Sequence, residues 1–178
     1  MIAINVAQLL KSIPGTTRQF AFSEAEPELT RELRLLEPIA GQARLLRTAR
    51  GILVRAEYHT ALEMDCARCV EPVRVEIDGQ FEDEFVPTVD VQTGLPLDVS
   101  EASAELHISP NHILDLSEAI RQDVLVSEPL QPLCDAACAG LCPTCGTNRN
   151  AAPCACPPSD AHPAFETLRS LLEREQSS

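Results

Sequence analysis

Residues 52–85 read ILVRAEYHTALEMDCARCVEPVRVEIDGQFEDEF. From Ile52 the even positions are apolar, through Val54, Ala56, Tyr58, Leu62 and Met64, while Arg55, Glu57, His59 and Glu63 hold odd ones. Beyond Cys66-Ala-Arg-Cys69 the apolar set is Val73, Val75, Ile77, Phe81 and Phe85, interleaved with Arg74, Glu76, Asp78, Gln80, Glu82 and Glu84. A period of two held this long predicts half-buried antiparallel strands. The two strands meet at a hairpin tip that carries Cys66 and Cys69. Ile39, Ala43 and Leu45 predict a third strand over 39–47, joined through a turn near Arg50-Gly51. Strands of this length twist, so the sheet is expected to curve toward a partial barrel.

On the N-terminal side, Ile2 to Leu10 is a short apolar stretch, Pro14-Gly15 marks a turn, and Phe20 and Phe22 suggest a short strand. Ser23 to Glu32 reads as an acidic loop. On the C-terminal side, 86–111 is rich in Pro, Asp, Ser and Gly and reads as a long acidic loop. Leu116, Ile120 and Val124 then fall on one helical face, with Asp115 as N-cap, Glu118 completing a capping box, and Pro129 and Pro132 ending the helix. Pro163 opens a final helix with a stripe of Phe165, Leu168, Leu171 and Leu172. The expected class is α+β. Residues 1–132 form a mainly antiparallel β-domain with a helix near 116–127. Residues 133–178 form a cysteine-rich zinc segment with the last helix packed on it.

The chain has 178 residues, with 14 basic and 27 acidic side chains and a net charge of −13. The excess is concentrated downstream: residues 1–74 carry 10 basic and 9 acidic groups, residues 75–178 carry 4 and 18. Broad wrapping of a phosphate backbone needs clustered cations, so DNA is not an expected partner. Attraction to a basic partner is favoured. The sequence lacks an apolar run of about 18 residues and a recognisable signal peptide, so a membrane span is not expected and the expected location is the cytoplasm. Cysteines in that setting read as reduced thiols or metal ligands.

The eight cysteines form four close pairs: Cys66–Cys69, Cys134–Cys138, Cys142–Cys145 and Cys154–Cys156. A tetrahedral zinc site takes four soft ligands, often as two close pairs, so eight make two sites. In Cys142-Pro-Thr-Cys145-Gly146 the spacing lets both sulfurs reach one ion, and the glycine lets backbone amides turn toward sulfur. The favoured pairing places Cys142, Cys145, Cys154 and Cys156 in one local site. Cys66, Cys69, Cys134 and Cys138 then form a second site that clamps the hairpin to the C-terminal segment. The competing arrangement sets Cys66 and Cys69 against Cys142 and Cys145. Iron is the rival metal, and disulfides or scattered core thiols are the rival chemistry. A closed four-sulfur shell is structural by default, and two loaded zinc sites would bring the net charge to about −17.

The string Leu133-Cys134…Cys138-Ala-Gly-Leu-Cys142-Pro-Thr-Cys145-Gly-Thr-Asn148-Arg-Asn150, followed by Cys154-Ala-Cys156 and preceded by Cys66-Ala-Arg-Cys69, resembles the YceD family, whose members are described as large ribosomal RNA subunit accumulation proteins. Leu9-Leu10-Lys11…Pro14-Gly15 is similar to that family's N-terminal pattern. The resemblance implies a cytoplasmic ribosome-biogenesis factor that supports accumulation of 23S rRNA. One departure is Asp160-Ala-His162-Pro163, where relatives often carry Asp-Pro-Arg, so no role of that arginine transfers.

Other groups read as ordinary surface. His59, His107, His112 and His162 are scattered, and cysteine already fills both metal shells. Glu82-Asp83-Glu84 offers carboxylates, but alternation turns Glu82 and Glu84 to solvent. The stretch Glu76–Glu128 holds 13 acids and one base, Arg121, which suits solubility or docking of a basic protein. Arg44, Arg47, Arg50, Arg55, Arg68 and Arg74 lie along the predicted meander, where a local phosphate contact competes with simple charge balance. With no nucleophile–base pair and no phosphate loop, the expectation is a non-enzymatic factor with structural zinc that binds precursor rRNA or a basic large-subunit ribosomal protein. The alternative is a zinc- or redox-responsive regulatory protein.

Overall fold

The computed structural model describes residues 1–24, 33–100 and 102–156. Of the acidic loop predicted over Ser23 to Glu32, Ser23 and Glu24 instead end a strand and 25–32 lie outside the described residues, as do the final helix from Pro163, His162 and the departure at 160–163. The chain is a mixed α+β protein, mostly sheet with two helices among the described residues. Its strands are β1 (Ala3–Asn5), β2 (Thr17–Glu24), β3 (Ile39–Arg47), β4 (Ile52–Asp65), β5 (Pro72–Pro87), β6 (His107–Ile108) and β7 (Ile113–Asp115), and its helices are α1 (Ala7–Leu10) and α2 (Ser117–Ser127).

The hairpin of β4 and β5 dominates. Its register pairs Ile52 with Phe85, Val54 with Asp83, Ala56 with Phe81, Thr60 with Ile77 and Met64 with Val73. These pairs share one face, so the alternation in the sequence becomes one buried surface and one solvated surface. β3 pairs antiparallel with β4, β2 with β3, and β6 adds a short parallel pairing to β5. The five-stranded sheet runs β2-β3-β4-β5-β6 and does not close into a barrel: β2 and β6 remain its edges. Before β3 and on the same side of β4, the chain at Leu35 bridges to Leu62, with the Glu63 amide donating to the Arg34 carbonyl at 2.8 Å.

The buried face gathers Ile39, Leu45, Ile52, Val54, Leu62 and Phe85, covered by Leu9, Leu114, Leu116, Ile120 and Val124. Tyr58 spans the layers. Its ring lies over Gly79, where an added Cβ would sit 2.1 Å from the ring, and its hydroxyl donates to Asp123 on α2 at 2.7 Å.

Three local readings are corrected. Ile113–Asp115 is a strand paired with Ala3–Asn5, so Asp115 ends a strand and Leu116 takes the N-cap position of the helix. Asp115 still accepts from the Ser117 amide at 2.9 Å, but Glu118 binds Arg121 rather than closing a capping box, because a guanidinium one turn away offers a charge-assisted partner. The stretch 86–111 is not featureless: β5 runs to Pro87, a 3₁₀ turn occupies Ala104–Leu106 and β6 follows. Ile108 there is fully buried, and one apolar anchor suffices to order a strand two residues long.

Candidate metal centre

The hairpin tip begins where β4 ends. Cys66, Ala67, Arg68 and Cys69 turn the chain, and the Val70 amide donates back to the Cys66 carbonyl at 2.9 Å. The Gly146 amide donates to the Cys142 carbonyl at the same distance. Val70 has φ 62° and Gly146 φ 73°. The two turns share one backbone design. In each, the amides two and three residues on, Arg68 and Cys69 in one turn, Thr144 and Cys145 in the other, lower the first cysteine's thiol. The amide two residues past the second cysteine, that of Glu71 or Thr147, favours that cysteine's thiolate. Left-handed backbone at Gly146 costs nothing, whereas at Val70 it is strained.

The sulfurs fall into two groups. Cys66, Cys69, Cys134 and Cys138 form one, and Cys142, Cys145, Cys154 and Cys156 the other, with the ligand atoms of each group all within 4.8 Å of one another. Cys66 and Cys138 sulfurs are 3.9 Å apart, and Cys69 and Cys134 sulfurs 3.6 Å apart. A metal with sulfur ligands at about 2.3 Å in a tetrahedron needs sulfurs about 3.8 Å apart. A disulfide needs about 2.0 Å, and all eight cysteines are unbridged. The donor sets therefore fit a tetrahedral metal ion, and the grouping is the local-plus-clamp arrangement rather than the crossed one.

Electrostatics in each group call for a cation. The Cys66 thiol is lowered to about 6 by backbone amides, chiefly that of Cys134, and the Cys142 thiol to about 6 by those of Cys145 and Thr144. Cys134 is pushed up to about 12 by its neighbour Cys138 and then Cys69, and Cys156 to about 12 by Cys145. Each cluster thus holds thiols pulled toward ionisation, Cys66 and Cys138 in one and Cys142 and Cys145 in the other, beside a thiol held well above its ordinary value. A divalent ion removes that conflict and releases the remaining protons.

The second cluster also builds the surroundings of the first. The Asn150 side chain donates to the Cys138 sulfur at 3.2 Å and accepts from the Ala139 amide at 2.7 Å. Its amide and side chain both donate to Asn148 Oδ1, and Asn148 donates to Glu71 at 3.3 Å. Across the contact, the Leu141 amide donates to the Arg68 carbonyl at 2.9 Å and Arg68 Nη1 to the Cys138 carbonyl at 2.9 Å. A Cβ on Gly140 would meet that Arg68 carbonyl at 2.9 Å, so only glycine, at φ 70°, allows the approach. Thr147 Oγ1 lies 3.2 Å from the Cys145 sulfur and lowers that thiol. Sequence reasoning assigned no role to Thr147, Asn148 or Asn150. The available signal was a run of small polar residues directly after a Cys-x-x-Cys-Gly turn.

Several arginines of the meander are engaged, although Arg44 stands directly opposite Arg55 across β3 and β4. Arg55 pairs with Glu82, Arg74 with Glu37 and Glu76, and Arg47 with backbone carbonyls that include Leu10 and Gly51. Among the described residues no helix is long and apolar enough to cross a membrane.

A family model described as "Large ribosomal RNA subunit accumulation protein YceD" matches residues 54–172, more than half of the chain and both cysteine groups. Curated relatives include uncharacterized proteins of Mycobacterium bovis and of two strains of Mycobacterium tuberculosis, each 29% identical over 103 residues, which are 58% of this chain and 47% of the relative. The chain thus spans about half the length of the curated relatives it matches. No solved structure matches it.

Proposed function

This chain belongs to the YceD family, and on that premise we propose that it is a non-enzymatic ribosome-biogenesis factor that supports accumulation of 23S rRNA, working in the cytoplasm. The family match, which spans the β4–β5 hairpin and both cysteine groups, carries this reading. Its metal is zinc, two ions per chain, held by Cys66, Cys69, Cys134 and Cys138 and by Cys142, Cys145, Cys154 and Cys156. Zinc prefers sulfur tetrahedra and has no redox chemistry of its own. Four sulfurs leave no position for water, so the metal is a scaffold that fixes the hairpin tip and the loop against it.

Of the two partners the sequence points to, precursor rRNA and a basic large-subunit ribosomal protein, charge favours the protein. Arg55 and Arg74 are engaged with carboxylates and Arg47 with backbone carbonyls, and the net charge is −13. Acidic surface attracts a basic partner and repels phosphate. Depleting the protein should lower 23S rRNA relative to 16S rRNA, with restoration by the parent chain and not by Cys66→Ser/Cys69→Ser. An unchanged ratio removes the proposal. Retention of precursor rRNA on the purified protein at low salt would move the partner to RNA.

A second reading, a zinc- or redox-responsive regulator, is favoured by one observation. Each cluster has one exposed cysteine, Cys134 or Cys145, but the second adds the half-buried Cys154 and Cys156 where the first is otherwise buried, so an oxidant meets more accessible sulfur in the second. Zinc release from that cluster by mild peroxide, coupled to a change of partner, is its test.

A further inference from the structure

We propose that the solvent face of the sheet carries a third metal site, in which His59, Glu37 and Glu76 bind one first-row divalent transition ion. The register brings the donors together. His59 on β4 stands opposite Asp78 on β5, and Glu76 is two residues along that strand, opposite Ala61. Glu37 arrives from the segment before β3 and is fixed by its backbone: its carbonyl accepts from Thr60 Oγ1 at 2.9 Å and its amide donates to the Ala61 carbonyl at 3.4 Å. The ligand atoms of Glu37, His59 and Glu76 all lie within 4.8 Å of one another.

Each donor is also oriented. Asp78 sits 2.9 Å from His59 Nδ1, a partner that orients the ring and turns Nε2 toward the two glutamates. Nε2 lies 3.3 Å from Glu76 Oε2 and 4.0 Å from Glu37 Oε2. The opposite oxygens, both Oε1, are held by a single guanidinium, with Arg74 Nη2 on Glu37 and Nε on Glu76, each at 2.5 Å. One fork therefore turns two carboxylates so that their second oxygens converge on the imidazole. Three carboxylates against one guanidinium leave two negative charges, which one divalent ion balances. An imidazole nitrogen with carboxylate oxygens suits zinc, manganese, cobalt or nickel better than calcium or magnesium, which favour all-oxygen shells. Contraction to about 2.0–2.2 Å needs only side-chain rotation, because all three groups are about half exposed. Three protein donors leave open positions, so this site is exchangeable where the sulfur clusters are closed. It does not depend on the rRNA reading.

The test uses the full chain with both cysteine clusters loaded with zinc. Added Zn²⁺ should bind as one further equivalent by calorimetry. That equivalent should weaken at least tenfold in His59→Gln and in Glu76→Gln, and about tenfold in Asp78→Asn, which perturbs only the orienting group. His107→Gln should leave it unchanged. On the unmodified chain, Mn²⁺ should broaden the His59 imidazole resonances well before those of His107 and His112, a readout independent of whether any variant folds. Equal uptake by His59→Gln and the parent, or equal broadening of the three imidazoles, overturns the proposal.

Discussion

The side-chain amide of Asn150 donates to the sulfur of Cys138 at 3.2 Å, although the two residues belong to different cysteine groups. It is the main cause that holds the Cys138 thiol below its ordinary value. The loop of one metal cluster thus supplies part of the electrostatics of the other.

Replacing that donor should be felt at the first cluster. Asn150→Ala is expected to weaken metal binding by Cys66, Cys69, Cys134 and Cys138 about 10–100-fold, the usual cost of losing an outer-shell partner, with little change at the second cluster. Competition against a chromophoric chelator, run on the variant and on the parent, reads both sites. Equal affinities in the two proteins would disconnect the clusters.

Metal stoichiometry follows the grouping of sulfurs. The purified protein should carry about two tightly held zinc ions, and Cys66→Ser and Cys142→Ser should each lose one of them. Loss at the first cluster should also expose the chain around Arg149 to trypsin, because Arg68 and Gly140 are then no longer pressed together. A single variant that empties both sites would contradict two separate clusters.

Val70 holds a conformation that Gly146 adopts freely in the equivalent turn. A β-branched residue there costs about 1–2 kcal/mol, while glycine returns up to about 1 kcal/mol through the entropy of the unfolded chain. Val70→Gly is therefore expected to stabilise the metal-loaded protein by about 0.5–1 kcal/mol, read as a higher urea midpoint. The side chain is 62% exposed, so little packing is lost.

Gly79→Ala should cost about 1–3 kcal/mol by overpacking, since the new methyl would occupy space held by the Tyr58 ring. The ring cannot yield without breaking its hydrogen bond to Asp123. Tyr58→Leu in the same chain should recover part of that loss, and no recovery would place the strain elsewhere.

Asp83 lies on the buried face opposite Val54, and its carboxyl is raised by burial and then by the charge of Asp123. A carboxyl raised on folding binds more protons in the native chain than in the unfolded one, so its ionisation removes stability as pH climbs past the unfolded value of about 3.9. Asp83→Asn should then stabilise at neutral pH by up to about 0.5 kcal/mol, discounted because the site is partly solvated. The gain should vanish below the ordinary carboxylate range. A variant no more stable than the parent at pH 7 refutes the assignment.

What the sequence disclosed tracks how each feature is encoded. Alternation from Ile52 to Met64 and from Val73 to Phe85 is long enough to reveal the hairpin and its buried side. The cysteine spacings revealed both four-sulfur groups. The pairing of Ala3–Asn5 with Ile113–Asp115 was not legible, because three residues cannot establish a period and the partners lie far apart in the chain. Asn150 and the convergence of Glu37, His59 and Glu76 were hidden for a related reason. They depend on cross-strand register and loop docking, which a lone histidine or asparagine does not announce.

The wide separation of the first cluster's halves also sets an order of events during synthesis. Cys69 and Cys134 are 65 positions apart, so that cluster cannot close until most of the sheet has emerged from the ribosome. The second cluster spans only Cys142 to Cys156, and its loop-closure entropy is smaller by about 1–2 kcal/mol. The nascent tail can therefore capture its ion locally and then swing, already rigid, onto a finished hairpin.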